Sequence, residues 1–431
     1  MSELQVKMRN KNGYNQTGSL LAALDIGSSK TACFIGRILD EEQKFEIIGV
    51  GHRPSEGVKN GKIIDLDAAE SVIRQTVHAA ENMAADVMKG YPLREVIVNV
   101  SGMHAGAFGH SISLNIGGHE VTDNDIRRAL ASAQEREAKE SLELIHTIPT
   151  FFRIDGQDGI RDPRGMYADT LQVDINLVTG DAVSLRNMAS CIERSHLDVS
   201  ALCVGAYASG LSSLVDDEID LGCTVIDIGG GVTSFSVFHS GYMIYCDALP
   251  VGGRHITNDI AQGMTTSFEH AERLKMMYGS AMAGQSDNGE MIDVPRLGEE
   301  ENATPNHVPR SFLVGIMQPR IEEIFEMVRA KLSDSGLDKV VGRRVVLTGG
   351  SSQIAGIKDL AQHVMDKQVR LGKPLGLTGL PDAVSGPAFS TVAGLLTYAA
   401  EHRDEMPAEI MAQVRPDSVL ERAKLWIKEN W

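Results

Sequence analysis

Two stretches of the chain, about 200 residues apart, repeat one unusual pattern: Leu24-Asp25-Ile26-Gly27-Ser28-Ser29-Lys30 and Val225-Ile226-Asp227-Ile228-Gly229-Gly230-Gly231. Each is an apolar run broken by an aspartate, then small residues, then apolar residues resuming over 31–36 and 233–238. Such a pattern is a hairpin: a buried strand, a tight turn open to close backbone approach, and a returning strand. A lone Asp-x-Gly turn is ordinarily a surface hairpin. Two copies constrain the fold more, because a partly buried carboxylate at the mouth of each strand needs a partner. If the two loops face each other, the backbones of Gly27, Ser28, Ser29 and of Gly229, Gly230, Gly231, the last followed by Thr233, cradle phosphates. Asp25 and Asp227 then hold a hydrated Mg²⁺, an ion that keeps several waters and takes only one or two protein carboxylates. Lys30 serves as a point charge toward a β- or γ-phosphate, although taken alone it is as readily an exposed strand lysine. The predicted ligands are a nucleotide triphosphate and Mg²⁺.

A third glycine-rich element, Arg343-Arg344-Val345-Val346-Leu347-Thr348-Gly349-Gly350-Ser351-Ser352, is followed by Ile354, Ile357, Leu360 and Val364 at helical spacing. A strand, a Gly349-Gly350 turn and a helix start at Ser351 suit close approach to a nucleotide. The chain contains neither a Gly-x-x-x-x-Gly-Lys-[Ser/Thr] nor a Gly-x-Gly-x-x-Gly fingerprint. The order and spacing of the three elements resemble the actin, Hsp70 and sugar-kinase superfamily. That resemblance makes 21–37 the first phosphate loop, 223–241 the second, 343–357 the adenosine loop and 387–396 the closing helix. It implies an α/β, actin-like two-lobed fold of duplicated ribonuclease H-like lobes.

At 431 residues and 42% hydrophobic content, the chain is long enough to bury two such lobes. A net charge of −17 argues against a general nucleic-acid binder. Cys33, Cys191, Cys203, Cys223 and Cys246 sit among apolar neighbours without a Cys-x-x-Cys pair and read as reduced core cysteines. No apolar run reaches the length of a membrane span, and the polar residues 1–18 read as a disordered tail rather than a signal peptide. The chain is therefore expected to stay on the cytosolic side of any membrane it meets.

Between the first two loops the pattern predicts a strand over 45–51, a helix over 67–89 with Val72, Ile73, Val77, Ala80 and Ala84 inward, and a buried strand over 96–102. Strands over 111–116, 144–148 and 171–178 and a helix over 123–139 then form an extra subdomain, with a glycine-rich loop before its last strand. The wording of this insert, Leu144-Ile145-His146-Thr147-Ile148-Pro149-Thr150-Phe151-Phe152 and Ile160-Arg161-Asp162-Pro163-Arg164-Gly165-Met166, resembles FtsA, the bacterial actin-like cell-division family. So does Leu249-Pro250-Val251-Gly252-Gly253-Arg254-His255-Ile256-Thr257-Asn258-Asp259-Ile260-Ala261 with Ala271-Glu272-Arg273-Leu274-Lys275. The resemblance places Gly252 in the nucleotide site and Glu272 and Lys275 on a helix beside the ribose and adenine; from the residues alone the pair suits any surface helix.

Residues 280–310, acidic and rich in Gly, Pro and Asn, predict a long exposed loop, followed by a helix over 312–333 with Phe312, Ile316, Pro319, Ile324, Phe325 and Val328 available for packing. Residues 401–417 read as a tether. In 418–431, Val419, Leu420, Ala423, Trp426, Ile427 and Trp431 cover one face of a helix opposite Glu421, Lys424 and Lys428, with Leu425 the exception. Docking on a protein surface would satisfy that face. Terminal tryptophans behind a polar tether favour an in-plane anchor in anionic membrane lipids.

The predicted division is a tail at 1–18, first-lobe core at 19–102 and 181–218 with a closing helix at 386–400, and an inserted subdomain at 103–180. The second lobe has its core at 219–255 and 339–385 and a smaller subdomain at 256–338; a linker at 401–417 and a membrane-targeting helix at 418–431 complete the chain. The family resemblance implies an ATP-binding protein that forms longitudinal filaments on the cytoplasmic face of the inner membrane at the division septum. There it tethers the ring of the tubulin-like protein FtsZ, whose C-terminal tail enters the small second-lobe subdomain, and recruits later division proteins through the insert. Val232 and Ser234 stand where that superfamily commonly has Thr and an acid after the second loop, which leaves hydrolysis open; no catalytic residue is assigned. The alternative is a sugar or carboxylate kinase on the same fold, which would need a general base and has no use for a terminal tryptophan helix.

Overall fold

Both aspartate-bearing runs form hairpins. Leu20–Ile26 returns as Lys30–Ile38 with Asp25 opposite Ala32 and Ile26 opposite Thr31. Cys223–Ile228 returns as Thr233–His239 with Asp227 opposite Ser234 and Ile228 opposite Thr233. A third antiparallel strand extends each hairpin, Phe45–Pro54 in one and Tyr242–Leu249 in the other. Two parallel strands complete each sheet: Glu95–Val100 and Asp198–Val204 in the first lobe, Arg344–Thr348 and Gln368–Leu371 in the second. The two five-stranded sheets share one order and one set of directions, so the fold is a duplication. The hairpin strands are buried along almost their whole length, as strands covered by helices on both faces must be.

This computed structural model describes residues 18–39, 44–101, 105–137, 141–284, 287–297, 306–337 and 342–401. The predicted tail over 1–17, the linker beyond Glu401 and the amphipathic helix 418–431 lie outside the described residues.

The helix predicted over 67–89 is Leu66–Met83, capped by the Asp65 carboxylate on the N–H groups of Asp67 and Ala68. It buries Ala69, Val72, Ile73, Val77 and Ala80 at helical spacing. It breaks at Ala84, and a short turn of helix, Ala85–Met88, ends at Lys89 in the left-handed region.

Two helices hold the lobes together. Gly205–Ser213 and Ser390–Glu401 cross so closely at Gly394 that a Cβ there would lie 1.6 Å from the Ala208 carbonyl oxygen. Around them one continuous core joins Phe34 and Ile97 of the first lobe to Val225, Phe238 and Val346 of the second.

The insert is a four-stranded sheet ordered Ala105–Asn115, Thr170–Asp181, Leu142–Ile154, Gln157–Ile160, packed under helix Asp123–Glu137. Its strands run longer than the sequence pattern indicated, and the glycine-rich segment expected as loop holds the fourth strand. A tight turn at Asp155-Gly156, both at positive φ, returns the chain so that Phe152 pairs with Ile160 and Ile154 with Gln157. The small second-lobe region carries helices Gly253–Met264, Phe268–Tyr278 and Arg310–Asp334. Its acidic stretch is not all loop. Met291–Val294 pairs with Asn306–Pro309, burying Ile292 and Val294, and Asp287 is buried against Arg310 at 3.0 Å. Of the predicted packing positions in the following helix, Ile324, Phe325 and Val328 are buried, whereas Phe312 is 49% exposed.

Candidate functional site

The two turns face each other across a cleft of about 260 Å³. Each is closed by the same bond, Gly27 N–H to the Lys30 carbonyl and Gly229 N–H to the Val232 carbonyl, both 3.0 Å. Across the gap, a Cβ on Gly230 would fall 1.9 Å from Ser29 Oγ, so glycine is what lets the second loop meet the first. Arg254, at the start of helix Gly253–Met264, donates from Nη1 to the Ser28 carbonyl at 3.3 Å and ties the second lobe to the first loop.

The strand ends deliver Asp25 and Asp227 into this cleft, only 8% and 9% exposed. Burial drives the Asp25 carboxyl up to about 6; Lys30 opposes this and Asp227 adds to it. Burial likewise raises Asp227, against the hydroxyls of Thr391 and Ser209 and, to a smaller degree, Lys30. The Thr391 hydroxyl donates to Asp227 Oδ2 at 2.9 Å. Lys30 is pushed down to about 8 by burial despite both carboxylates. Its ammonium donates to the Ala388 carbonyl and stands 3.5 Å above the Phe389 ring. Two buried carboxylates thus share one lysine, an arrangement short of positive charge and suited to a further cation. Among the described residues no three His, Cys, Asp or Glu side chains converge on a metal position, so an ion here would draw its remaining ligands from water or phosphate.

The Arg344–Thr348 strand, paired with Cys223–Ile228, brings Gly349 and Gly350 to the same cleft. Gly349 adopts φ +86°, and a Cβ there would lie 2.2 Å from Asp227 Oδ1. Of the predicted residues, Asp25, Gly27, Ser28, Ser29, Lys30, Asp227, Gly229, Gly230, Gly231, Gly349 and Gly350 line the cleft together.

Thr233, Gly252, Glu272, Lys275 and Ser351 stand behind it. Thr233 is fully buried, and among the described residues its hydroxyl has no hydrogen-bond partner. A Cβ on Gly252 would lie 2.6 Å from the Gly229 carbonyl, and the next two N–H groups, Gly253 and Arg254, donate to the carbonyls of Gly229 and Gly230 at 2.9 and 2.7 Å. Lys275 braces that helix start, donating to the Gly253 carbonyl at 3.2 Å, Thr257 Oγ1 at 2.8 Å and Glu272 at 2.7 Å. Ser351 Oγ donates to the Gly229 carbonyl at 3.4 Å. These residues shape the second loop from behind. The sequence reading missed Asn99, Ser101, Gly205 and Thr391, which also line the cleft. Asn99 had a signal, a lone amide inside the apolar strand Glu95–Val100, and its Oδ1 accepts from the Ile26 N–H at 2.8 Å.

A larger hollow, about 870 Å³, lies on the outer face of the first lobe between helix Leu66–Met83 and residues 194–197. Its Arg194 is taken up by Asp67 and by Glu70 at 2.9 Å, and no glycine loops converge there.

The family described as Cell division protein FtsA matches residues 224–394, and the SHS2 domain inserted in FtsA matches residues 102–179. The cell division protein FtsA of Rhizobium meliloti (strain 1021) is 41% identical over 424 residues, covering 96% of this chain and 95% of the relative. The chain belongs to the FtsA family. As an FtsA-family member it is an actin-like cell-division protein, which displaces the kinase alternative. Its fold is shared with the PilM-PilN type IV pilus biogenesis complex (TM-score 0.62, 16% identity, 88% of this chain and 98% of that one). It is shared as well with MreB 5 of Spiroplasma citri bound to AMPPNP (TM-score 0.50, 13% identity, 88% and 95%). The FtsA insert is the sheet and helix between Ala105 and Asp181, joined to the lobes beside the two helices that cross at Gly394.

Proposed function

We propose that this FtsA-family chain binds ATP with Mg²⁺ in the cleft, forms longitudinal filaments on the cytoplasmic face of the inner membrane at the division septum, and tethers the FtsZ ring there. The observation that carries the nucleotide reading is the pair of buried carboxylates, Asp25 and Asp227, sharing Lys30 between two glycine-lined loops. Asp25 and Asp227 would hold the metal through water, and the N–H groups of residues 27–29 and 229–231 would receive phosphate oxygens. The Gly349–Ser351 turn would face the nucleoside, while Gly252, Thr233, Glu272 and Lys275 hold the second loop in shape. The bound ion supplies charge neutralisation between the two carboxylates and the phosphates. The MreB relative bound to AMPPNP has its nucleotide on this same fold, which supports the reading.

The lobes grip more of a shared ligand when closed, so a triphosphate that binds the closed arrangement more tightly shifts the population toward it. In this reading closed lobes associate end to end, the 256–338 region receives the FtsZ C-terminal tail, and the 103–180 insert meets later division proteins. Residues 401–417 then serve as the linker to an anchor at 418–431. Val419, Leu420, Ala423, Trp426, Ile427 and Trp431 would lie at the headgroup level and Lys424 and Lys428 toward anionic lipid. One such helix binds weakly, and many on one filament bind well through raised effective concentration.

The test is co-sedimentation with anionic vesicles of the full chain and of a chain ending at Pro416, each with and without ATP and Mg²⁺. ATP-sensitive pelleting that the truncation abolishes is the expected result. Pelleting indifferent to both would refute the adaptor reading.

A further inference from the structure

The cleft and the inserted subdomain hold on to the same two helices. On the cleft side, Thr391 of helix Ser390–Glu401 donates to Asp227 at 2.9 Å, and Gly205, the first residue of helix Gly205–Ser213, lines the cleft. On the far side one side chain of the insert reaches both. His146, on strand Leu142–Ile154, is 0% exposed. Its Nε2 accepts from the N–H of Val204, the residue that opens helix Gly205–Ser213, at 3.0 Å. Its Nδ1 lies 3.2 Å from the Tyr398 hydroxyl on helix Ser390–Glu401.

The ring stands edge-on to Tyr207 and Tyr398, with centroids 5.5 and 5.2 Å away. Because Nε2 faces a backbone donor it must carry the lone pair. The hydrogen-bond pattern therefore assigns the proton to Nδ1, which donates to Tyr398, and the imidazole is neutral. A fully buried polar network of this kind holds only while every partner keeps its place. Neither helix is free to slide past the other, since Gly394 and Ala208 meet backbone to backbone. Movement of the helices at Asp227 is therefore felt at His146. The insert also reaches the second lobe, where Asn176 Nδ2 donates to the Met243 carbonyl at 3.2 Å and Phe151 faces His239 with ring centroids 6.4 Å apart. It spans the joint between the lobes.

We propose that His146 is a positioning residue that couples occupancy of the cleft to the stance of the inserted subdomain. Nucleotide at Asp227 and a partner on the insert then alter each other's affinity by the same factor, as linkage requires. The proposal rests on the nucleotide reading above.

The experiment uses the full chain and three variants: Tyr398→Phe, which removes one hydroxyl and keeps the ring, His146→Leu, and His146→Gln, which retains a donor and an acceptor. Binding of a fluorescent ATP analogue with Mg²⁺ is measured first. Amide hydrogen exchange of the insert is then followed with and without ATP. In the unmodified chain ATP is expected to slow exchange in Leu142–Ile154 and Asp198–Val204. Tyr398→Phe and His146→Leu should keep the ATP-free exchange rates of the insert sheet and lose the ATP-dependent change; nucleotide binding should weaken about five-fold in Tyr398→Phe, which loses one coupled buried hydrogen bond, and further in His146→Leu, which loses two. His146→Gln should restore part of both. Should His146→Leu fail to fold, Tyr398→Phe carries the test. An ATP-dependent change in the insert that is equal in variant and unmodified chains overturns the coupling. So does its absence from an unmodified chain that demonstrably binds ATP, and in both cases the nucleotide reading survives. Failure of the unmodified chain to bind ATP overturns both.

Discussion

Asp25→Asn should make the nucleotide-free protein more stable while removing its response to ATP. Burial raises the Asp25 carboxyl from 3.8 to about 6, so the folded chain binds that proton more tightly than the unfolded chain. The stability from this group is fully present below pH 3.8 and is lost as pH rises through about 6. The shift is about 2 units, so at neutral pH the ionised carboxylate costs about 3 kcal/mol at about 1.4 kcal/mol per unit. Asparagine fills the same space without that cost. Part of the gain is returned because Lys30, which Asp25 helps to keep charged, loses a partner. A net stabilisation of about 1–3 kcal/mol remains, which at about 2–4 °C per kcal/mol for a lobe-sized unit is a rise of several degrees. The assay is thermal unfolding of both chains without nucleotide from pH 5 to 8. The variant's advantage should grow with pH and level off above about 7. Excess ATP and Mg²⁺ should then raise the melting temperature of the unmodified chain, by the equivalent of about 2.7 kcal/mol at a hundred-fold excess over Kd, and leave Asp25→Asn unmoved. A variant no more stable at pH 8 than the unmodified chain, or an advantage that does not change with pH, would refute the account of the buried carboxylate.

Gly230→Ala places a methyl 1.9 Å from Ser29 Oγ and should wedge the two glycine loops apart; on the proposed nucleotide reading, affinity should fall at least ten-fold by equilibrium titration with little change in circular dichroism. Gly394→Ala sets a Cβ 1.6 Å from the Ala208 carbonyl, a backbone atom that cannot swing aside, so the crossing helices must separate. It should destabilise by about 3 kcal/mol or more, read as a fall in the denaturation midpoint, as overpacked sites do. Arg310→Ala strips the buried Asp287 of its cation and frees the Tyr278 carbonyl, to which Arg310 donates at 2.8 Å. It should cost about 3 kcal/mol and raise proteolytic nicking between residues 284 and 297.

How much of this was legible in the sequence depends on range. The hairpins, the Gly349-Gly350 turn and helix Leu66–Met83 show themselves locally, through apolar runs, small residues and helical spacing. The strand Gln157–Ile160 did not, because four residues containing Asp158 and Gly159 have no alternation of their own and pair only because the Asp155-Gly156 turn returns them to Phe152. Ile292 and Val294 were legible in principle, two apolar residues in alternation, but the surrounding acids masked them. Thr391 was illegible: its reach to Asp227 spans 164 residues and exists only after helix Ser390–Glu401 has packed. Lys275 was placed in the site by family resemblance, and its contacts, to the Gly253 carbonyl, Thr257 and Glu272, brace the helix start behind the second loop.

The duplication also shows why the two carboxylates are held in different ways. The hairpins superpose residue for residue in register, with Thr31 in the place of Thr233 and Lys30 in that of Val232. The only cation following either loop therefore belongs to the first lobe. Asp25 takes its main compensation from that charge, which acts through space and tolerates small shifts of position. Asp227 takes its compensation first from the Thr391 hydroxyl, which donates to it at 2.9 Å, and only then from Lys30. Hydrogen bonds are short and directional, so Asp227 is compensated only when helix Ser390–Glu401 stands in register with it, and Gly394 locks that helix against Gly205–Ser213. A carboxylate held this way is sensitive to helix position in a way that a charge-paired one is not, and those are the two helices that His146 grips.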